Sequence, residues 1–402
     1  MIFAAGSMKI LFTANRFPYP PYRGDKLKIY HLARRLAEKH ELHLVTFLQD
    51  KNDVQYLPEL RKIFTEIHLV PLSRIQSYWH SLFAFFHKEP FQVRYFRSRA
   101  MAAKIAQLKQ QHQYDAVHVQ HLRMAQYWAE EPDVPRILDL PDAYSLYWKR
   151  RIDTSNGPLK LFTRLEQKRV YAYEAILEQY DLSLVCSPED REYLSRERGI
   201  GNVSLLPNGV DLETFRGNTD HDYSGNKTLL FTGNMDYAPN VDAVIYFATE
   251  IFPQIRQAVP DARFVIAGQR PVAKVKALAG ENITVTGFVQ DLAAYYAAAS
   301  VVVAPLRFGA GTQNKVLEAM AMGVPVVSRN IGFNGLNIVS GEGVVLAMET
   351  EAFAAACIDL LQSETQRRSV GEAGKKVIYQ QFDWDVIALK LENYFRQIIK
   401  PR

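Results

Sequence analysis

The sequence predicts two doubly wound α/β domains in series, on three observations. Short β-branched runs alternate with segments of helical periodicity along the whole chain. Strands separated by helices run parallel, because a parallel crossover needs about the length of a helix. At 402 residues the chain is too long for one ordinary hydrophobic core. Between 208 and 227 the periodicity lapses and Gly, Asn and Asp crowd together, which marks a linker.

Residues 8–207 make the first domain in this reading, and 1–7 (MIFAAGS) are a dispensable extension, too short for a signal peptide, with Met8 able to serve as a start. The run 8–14 (MKILFTA) is a buried strand. The loop 15–24 (NRFPYPPYRG) is barred from helix by its prolines. Asp25 is placed as an N-cap, and Leu27, Ile29, Leu32 and Leu36 recur at helical spacing to about Lys39. Strands follow at 42–47, 67–72, 116–119, 136–140, 182–187 and 203–206. Helices are expected at 75–86, 100–111, 159–179 and 189–196.

The second domain, 228–378, repeats the pattern with strands at 229–232, 264–267, 283–286, 301–303, 324–327 and 344–346. Its helices are expected at 240–257, 272–278, 291–298 and 313–322. The chain is then helical to its end, with a break near Phe382, Asp383 and Trp384. The stretch 300–330 carries the most chemistry: a buried strand, Pro305, a loop with Gly309 and Gly311, a helix, and Gly323 closing it. A helix starting at such a loop offers unpaired N–H groups to an anion.

Composition is that of a soluble globular chain, 48% hydrophobic and 23% charged, with a formal charge of +5. Nine Lys/Arg face two acids between 61 and 110. That excess is either a solvated basic face or a contact for acidic lipid head groups or a polyanionic acceptor. The aromatic stretch 78–91, flanked by Arg74 and Arg94, is either a core helix or a segment dipping into a membrane surface. No run reaches the roughly 18 to 20 apolar residues of a membrane span. Cys186 and Cys357 sit in apolar segments and read as buried thiols in a reducing compartment.

Backbone N–H groups near Gly311, Thr312, Gln313 and Asn314, with Arg307 and Lys315, would neutralise a diphosphate. Glu318, one turn beyond Lys315, would accept hydrogen bonds from ribose hydroxyls; the alternative is a surface ion pair between the two. Gly233 and Asn234 end the first strand of domain two, where a phosphate can approach or an ordinary strand-to-helix turn forms, and Gly268 repeats that arrangement more weakly. In domain one, Gly24 closes the first loop at a helix start, where it either presents its N–H to a ligand or belongs to a simple turn capped by Asp25. His118 and His121 end the strand AVHVQH, one of them suited to a sugar hydroxyl. Asp139 and Asp142 resemble a metal-binding acid pair only superficially. No GxxxxGK[ST] loop, GxSxG elbow or Cys/His metal spacing occurs.

In this order, LLPNGVDLETF (205–215), FTGNMDYAPNVDA (231–243), VTGFVQDL (285–292) and PLRFGAGTQNKVLEAMAMGVPVV (305–327) resemble glycosyltransferase family 4, retaining enzymes of GT-B architecture. Within it the chain is most similar to sugar transferases associated with exosortase-linked (PEP-CTERM) exopolysaccharide systems. The resemblance implies two Rossmann-like domains facing a deep cleft, an acceptor-side domain first and a nucleotide-sugar domain second. It implies that 379–402 packs back on the first domain.

Residue by residue, it implies Glu318 on ribose, the Val289 backbone at the base, Gly24 near the β-phosphate and His121 near the donor sugar, with His118 and Gln120 as other alignments. His121, Arg307 and Lys315 are the expected catalytic residues. Gly24, Gly233, Asn234, Val289, Gly311, Thr312, Gln313 and Glu318 are the expected donor contacts. Two positions depart from the family. Ala310 stands where the first glutamate of E-x7-E belongs, and Asn240 where many relatives carry a lysine on the diphosphate. The expected activity is transfer of a sugar from a UDP- or GDP-linked donor to a saccharide or lipid-linked saccharide, with no metal and no cofactor. The expected place is the cytoplasm or the inner face of the membrane, with no nucleic-acid partner. A nucleotide-sugar epimerase and a catalytically silent scaffold are the alternatives.

Overall fold

The computed structural model describes residues 6–21, 24–73, 87–131, 133–153, 157–215, 222–224, 226–308, 314–333, 335–336 and 338–399, with the side chains of 24, 25 and 153 left out. The loop residues Gly309 to Gln313, Arg23, Arg74 and the expected helix 75–86 lie outside them. The chain divides into two compact units, Met1–Pro207 with Ile387–Arg402, and Asn208–Val386.

Seven described strands form the sheet of the first unit: β1 (Lys9–Ala14), β2 (Glu41–Leu48), β3 (Glu66–Pro71), β4 (Ala116–Gln120), β5 (Arg136–Asp139), β6 (Leu182–Val185) and β7 (Val203–Leu205). Their spatial order is β3-β2-β1-β4-β5-β6-β7, all parallel. The order reverses between β1 and β4, the place where a doubly wound sheet opens a crevice at its carboxyl edge. The first helix, Gly24–Leu36, starts one residue before the expected cap. A helix at Tyr144–Asp153 was not visible as a separate element in the sequence, because Tyr, Trp and Arg leave its apolar stripe weak. The expected helix 159–179 is α-helical over Gly157–Tyr173 and then tightens to a 3₁₀ turn at Glu174–Gln179.

The second sheet contains β8 (Thr228–Thr232), β9 (Arg263–Ala267), β10 (Ile283–Gly287), β11 (Val301–Ala304), β12 (Val326–Ser328) and β13 (Val344–Leu346). Its described strands run parallel in the order β10-β9-β8-β11-β12-β13, with the reversal between β8 and β11. Both faces are covered. Leu229, Phe231, Val301 and Val303 enter one core with Phe247, Phe264 and Phe353, while Leu230, Val302 and Ala304 enter another with Val316, Leu317 and Met320. That two-sided burial is why these strands read as unbroken apolar runs rather than alternating ones.

Helix Asn314–Ala321 is stopped by Gly323 at φ 75°, whose amide bonds Met320 O while that of Val324 bonds Ala319 O. The final helix, Trp384–Ile398, begins in the second unit and has its residues from Ile387 in the first. There Leu391 and Phe395 are fully buried and Tyr394 Oη donates to Leu205 O at 3.1 Å. Among the described residues no helix is long and apolar enough to cross a membrane.

Candidate functional site

In the second unit, the ends of β8 and β11 flank the reversal of strand order, so the segments following them meet at one crevice. After β8 comes Gly233, at φ 151°, with Asn240 Nδ2 2.6 Å from where a Cβ would stand. Gly268, after β9, approaches still closer: its Cβ would lie 1.7 Å from Gly233 O. Both positions therefore require glycine. Asn234 is held by Gln269 Nε2, which donates to its Oδ1 at 2.7 Å, and its carbonyl accepts from Asn240 Nδ2 at 3.0 Å.

After β11 the chain passes through the glycine loop into helix Asn314–Ala321. Lys315 is not on the surface, as a pairing with Glu318 would have it; it is 7% exposed. Its ammonium donates to Asn240 Oδ1 at 3.0 Å and stands 4.7 Å from the centroid of the Phe231 ring. Burial lowers its pKa to about 8, against the opposing pull of the Glu318 carboxylate. Asn240, which replaces a lysine expected from the family, thus orients another lysine from a different element.

Glu318 Oε2 accepts from Tyr296 Oη at 2.7 Å. The same hydroxyl is 2.7 Å from Thr232 Oγ1, so one fully buried tyrosine ties the end of β8 to the helix. Burial pushes the Glu318 carboxyl up, against the Tyr296 hydrogen bond and the Lys315 charge. Asn208 Nδ2 donates to Asn314 Oδ1 at 3.2 Å, bringing the start of the PNGVD segment to the helix mouth. Arg307 is engaged by Asp242 through Nε at 2.8 Å and through Nη2, and lies 4.6 Å over the Tyr246 ring. Val289 is half-buried in the turn after β10. Gly311, Thr312, Gln313 and Ala310 lie outside the described residues.

In the first unit, β4 is followed directly by His121, which is 3% exposed and adopts φ 79°. That left-handed conformation is costly for a residue with a Cβ and recurs where surrounding structure fixes a functional side chain. Its ring lies 4.8 Å from that of Tyr144, whose hydroxyl meets Nε2, and Nδ1 accepts from Arg123 N at 3.3 Å. Burial, then the charges of Arg123 and Arg16, hold its pKa well below 6.5, so the imidazole is neutral. His118 stands apart from it. Fully buried in β4, it points Nε2 at Asp139 Oδ2, 3.2 Å away.

Asp139 also receives Lys28 Nζ at 2.6 Å, and that ammonium donates to Leu206 O at 2.9 Å. Asp139 is therefore an ion-pair partner, not half of a metal-binding pair with Asp142. Burial, then the nearby Asp190 carboxylate, push Asp142 up to about 7. Both cysteines are free and buried, as expected.

Sequence reasoning missed Tyr296 and Lys28. Tyr296 lies in an alanine-rich helix that reads as filler, although a buried tyrosine needs a partner for its hydroxyl. Lys28 left a signal: with Leu32 and Leu36 at four-residue spacing it falls on the buried stripe of its helix, where it is 4% exposed.

The family model described as Glycosyltransferase Family 4 matches 29–214, and that described as Glycosyl transferases group 1 matches 226–363. The chain is a family-4 glycosyltransferase. It is 22% identical to an uncharacterised 44.6 kDa protein in the cps region of Klebsiella pneumoniae, across 93% of this chain and 96% of the relative. It is 32% identical over 219 residues to a GDP-mannose-dependent alpha-(1-6)-phosphatidylinositol monomannoside mannosyltransferase of Mycobacterium tuberculosis, spanning 48% of this chain and 56% of that one. The Anabaena HepE structure in complex with UDP and glucose overlays at a TM-score of 0.66 with 14% identity, covering 97% of this chain and 100% of that one. Two parallel-sheet units and such neighbours make this glycosyltransferase a GT-B protein.

Proposed function

We propose that this glycosyltransferase moves a sugar, with retention and without a metal, from a UDP- or GDP-linked donor to a saccharide or lipid-linked saccharide in exopolysaccharide assembly. The observation that carries the reading is the pairing of Lys315 with Asn240 beside that of Tyr296 with Glu318. One helix thereby presents an oriented cation and an oriented carboxylate a turn apart, directly after the glycine loop. These are the groups a nucleoside diphosphate requires, one for phosphate and one for ribose. The named relatives support it: one uses GDP-mannose and one structure holds UDP and glucose.

On this reading Gly311, Thr312 and Gln313 cradle the diphosphate and stand in for the carboxylate that Ala310 lacks. Gly233 and Asn234 line the phosphate approach, Val289 meets the base, Gly24 approaches the β-phosphate and His121 contacts the transferred sugar. As the bond from the anomeric carbon to phosphate breaks, charge develops on the leaving oxygen where Lys315 stabilises it. The acceptor oxygen bonds to the same face of that carbon, and its proton passes to the departing phosphate. Arg307 is the second cation of this scheme, released from Asp242 to the phosphate when donor binds.

Thermal-shift screening against nucleotides and nucleotide sugars tests the donor, since a ligand that binds the folded chain raises the melting temperature with the logarithm of its concentration over Kd. Transfer assays with the stabilising donor, read by NMR of the product's anomeric proton, then test retention. No stabilisation by any nucleoside diphosphate would sink the proposal. Peripheral contact with an acidic membrane belongs to the same reading when the acceptor is lipid-linked. Arg94 is buried against Glu89, so the exposed Arg97 and Arg99 are the residues to reverse. Vesicle flotation that Arg97→Glu with Arg99→Glu leaves unchanged removes the basic segment from it.

A further inference from the structure

The amino-terminal edge of the first sheet, opposite the edge where doubly wound folds bind substrates, carries a histidine cluster that sugar transfer does not use. Among the described residues, one group of three side chains is placed to hold an ion: His43, Glu66 and His112, with ligand atoms within 4.8 Å of one another. His43, in β2, is 1% exposed and sits in register with Glu66, the first residue of β3. His112 follows the helix Arg99–Gln111. Glu66 Oε2 is 3.3 Å from His112 Nε2, 3.9 Å from His43 Nδ1 and 3.2 Å from His68 Nε2.

We propose that these residues form a structural site for a divalent transition-metal ion of the zinc class. Bonds of about 2.0–2.1 Å in a tetrahedral site place neighbouring ligand atoms about 3.3 Å apart. The carboxylate meets that spacing with His112 at 3.3 Å and needs a contraction of roughly half an ångström from its 3.9 Å with His43. Imidazole nitrogen with carboxylate oxygen is a donor set suited to zinc, cobalt or nickel.

The surrounding contacts prepare the ligands. His43 Nε2 lies 3.0 Å from Glu41 Oε1, an acceptor only, so the ring proton is on Nε2 and the lone pair on Nδ1. A carboxylate behind a ligating histidine fixes its tautomer in this way. Tyr114 Oη, 3.0 Å from Nδ1, donates to that lone pair until an ion takes it. An ion here would tie β2 and β3 to the segment that leads into β4.

The test uses the full chain, tag-free and stripped with EDTA, titrated with Co²⁺ and separately with Zn²⁺. A visible cobalt d–d absorption saturating at one equivalent, displaced by Zn²⁺, and a rise in melting temperature with Zn²⁺ are expected. His112→Gln and Glu66→Gln should lose the absorption, and Glu41→Gln should weaken binding by about 10–100-fold. Circular dichroism checks that each variant is folded; the wild-type cobalt spectrum and Glu41→Gln decide the matter if the ligand variants are not. No cobalt absorption in the wild type, or unchanged binding in folded His112→Gln, overturns the proposal.

Discussion

Lys315 Nζ donates to Asn240 Oδ1 at 3.0 Å, joining the helix after β11 to the one after β8. Its charge is thereby held in one place, in a buried setting where ionic interactions are stronger than in water. A cation fixed in this way needs no reorganisation when charge develops on a leaving phosphate.

Lys315→Ala is expected to lower kcat by about 10²–10³-fold. Its melting temperature should match or exceed that of the parent, because a buried charge is removed along with its desolvation cost. Turnover of a defined donor and acceptor near the wild-type rate would end the assignment.

The lowered pKa of Lys315, about 8 against 10.5, sets two pH dependences. Between those values the unfolded chain binds more protons than the folded one, so this group's contribution to stability rises with pH across that window and is flat below it. Affinity for a nucleoside diphosphate runs the other way, falling as the ammonium deprotonates above about pH 8. Titration calorimetry should show that fall in the wild type and a flatter profile in Lys315→Arg.

Tyr296→Phe deletes the hydroxyl that serves both Thr232 and Glu318. A loss of about 1–3 kcal/mol in denaturant unfolding is expected for the stranded partners. Under the proposed role of Glu318 on ribose, its carboxylate then loses the contact that orients it, so the donor KM should rise several-fold with kcat little changed. A fall in kcat with KM unaltered would place Tyr296 in the chemical step instead.

The ion pair of Lys28 and Asp139 is fully buried, and removing either partner should cost about 3–5 kcal/mol at neutral pH. Burial lowers the Lys28 pKa, but the Asp139 charge chiefly overcomes it and raises the net value above 10.5. Burial raises that of Asp139, but Lys28 chiefly, with His118, brings it below 3.8. Asp139 therefore contributes stability above its unfolded pKa that is lost as pH falls through the folded one. Lys28 contributes below its unfolded pKa and loses that as pH rises through the folded one. Chemical unfolding across pH should show the deficit of Asp139→Asn shrinking in strong acid.

Gly268→Ala puts a methyl 1.7 Å from Gly233 O, where only backbone movement makes room. Destabilisation above about 4 kcal/mol is expected, or failure of the second unit to fold. Gly280→Ala, with nothing within 4 Å of its Cβ, is the control.

Sequence by itself determined the alternation of strand and helix, the break near 208 and the glycine-loop helix, since apolar period, turn residues and strand burial are written locally. It also singled out Lys315, Glu318 and His121 as candidates for the proposed donor site. Tertiary structure decided what those residues touch. That Lys315 is buried and answers to Asn240, that Tyr296 holds Glu318, and that His118 belongs to the Lys28 and Asp139 network all depend on which strands lie side by side. The histidine cluster at the far edge arises the same way, from residues 23 and 46 positions apart brought together by β2, β3 and the segment before β4. Local periodicity tells a residue which face it occupies, whereas only the order and register of the strands tell it who stands opposite.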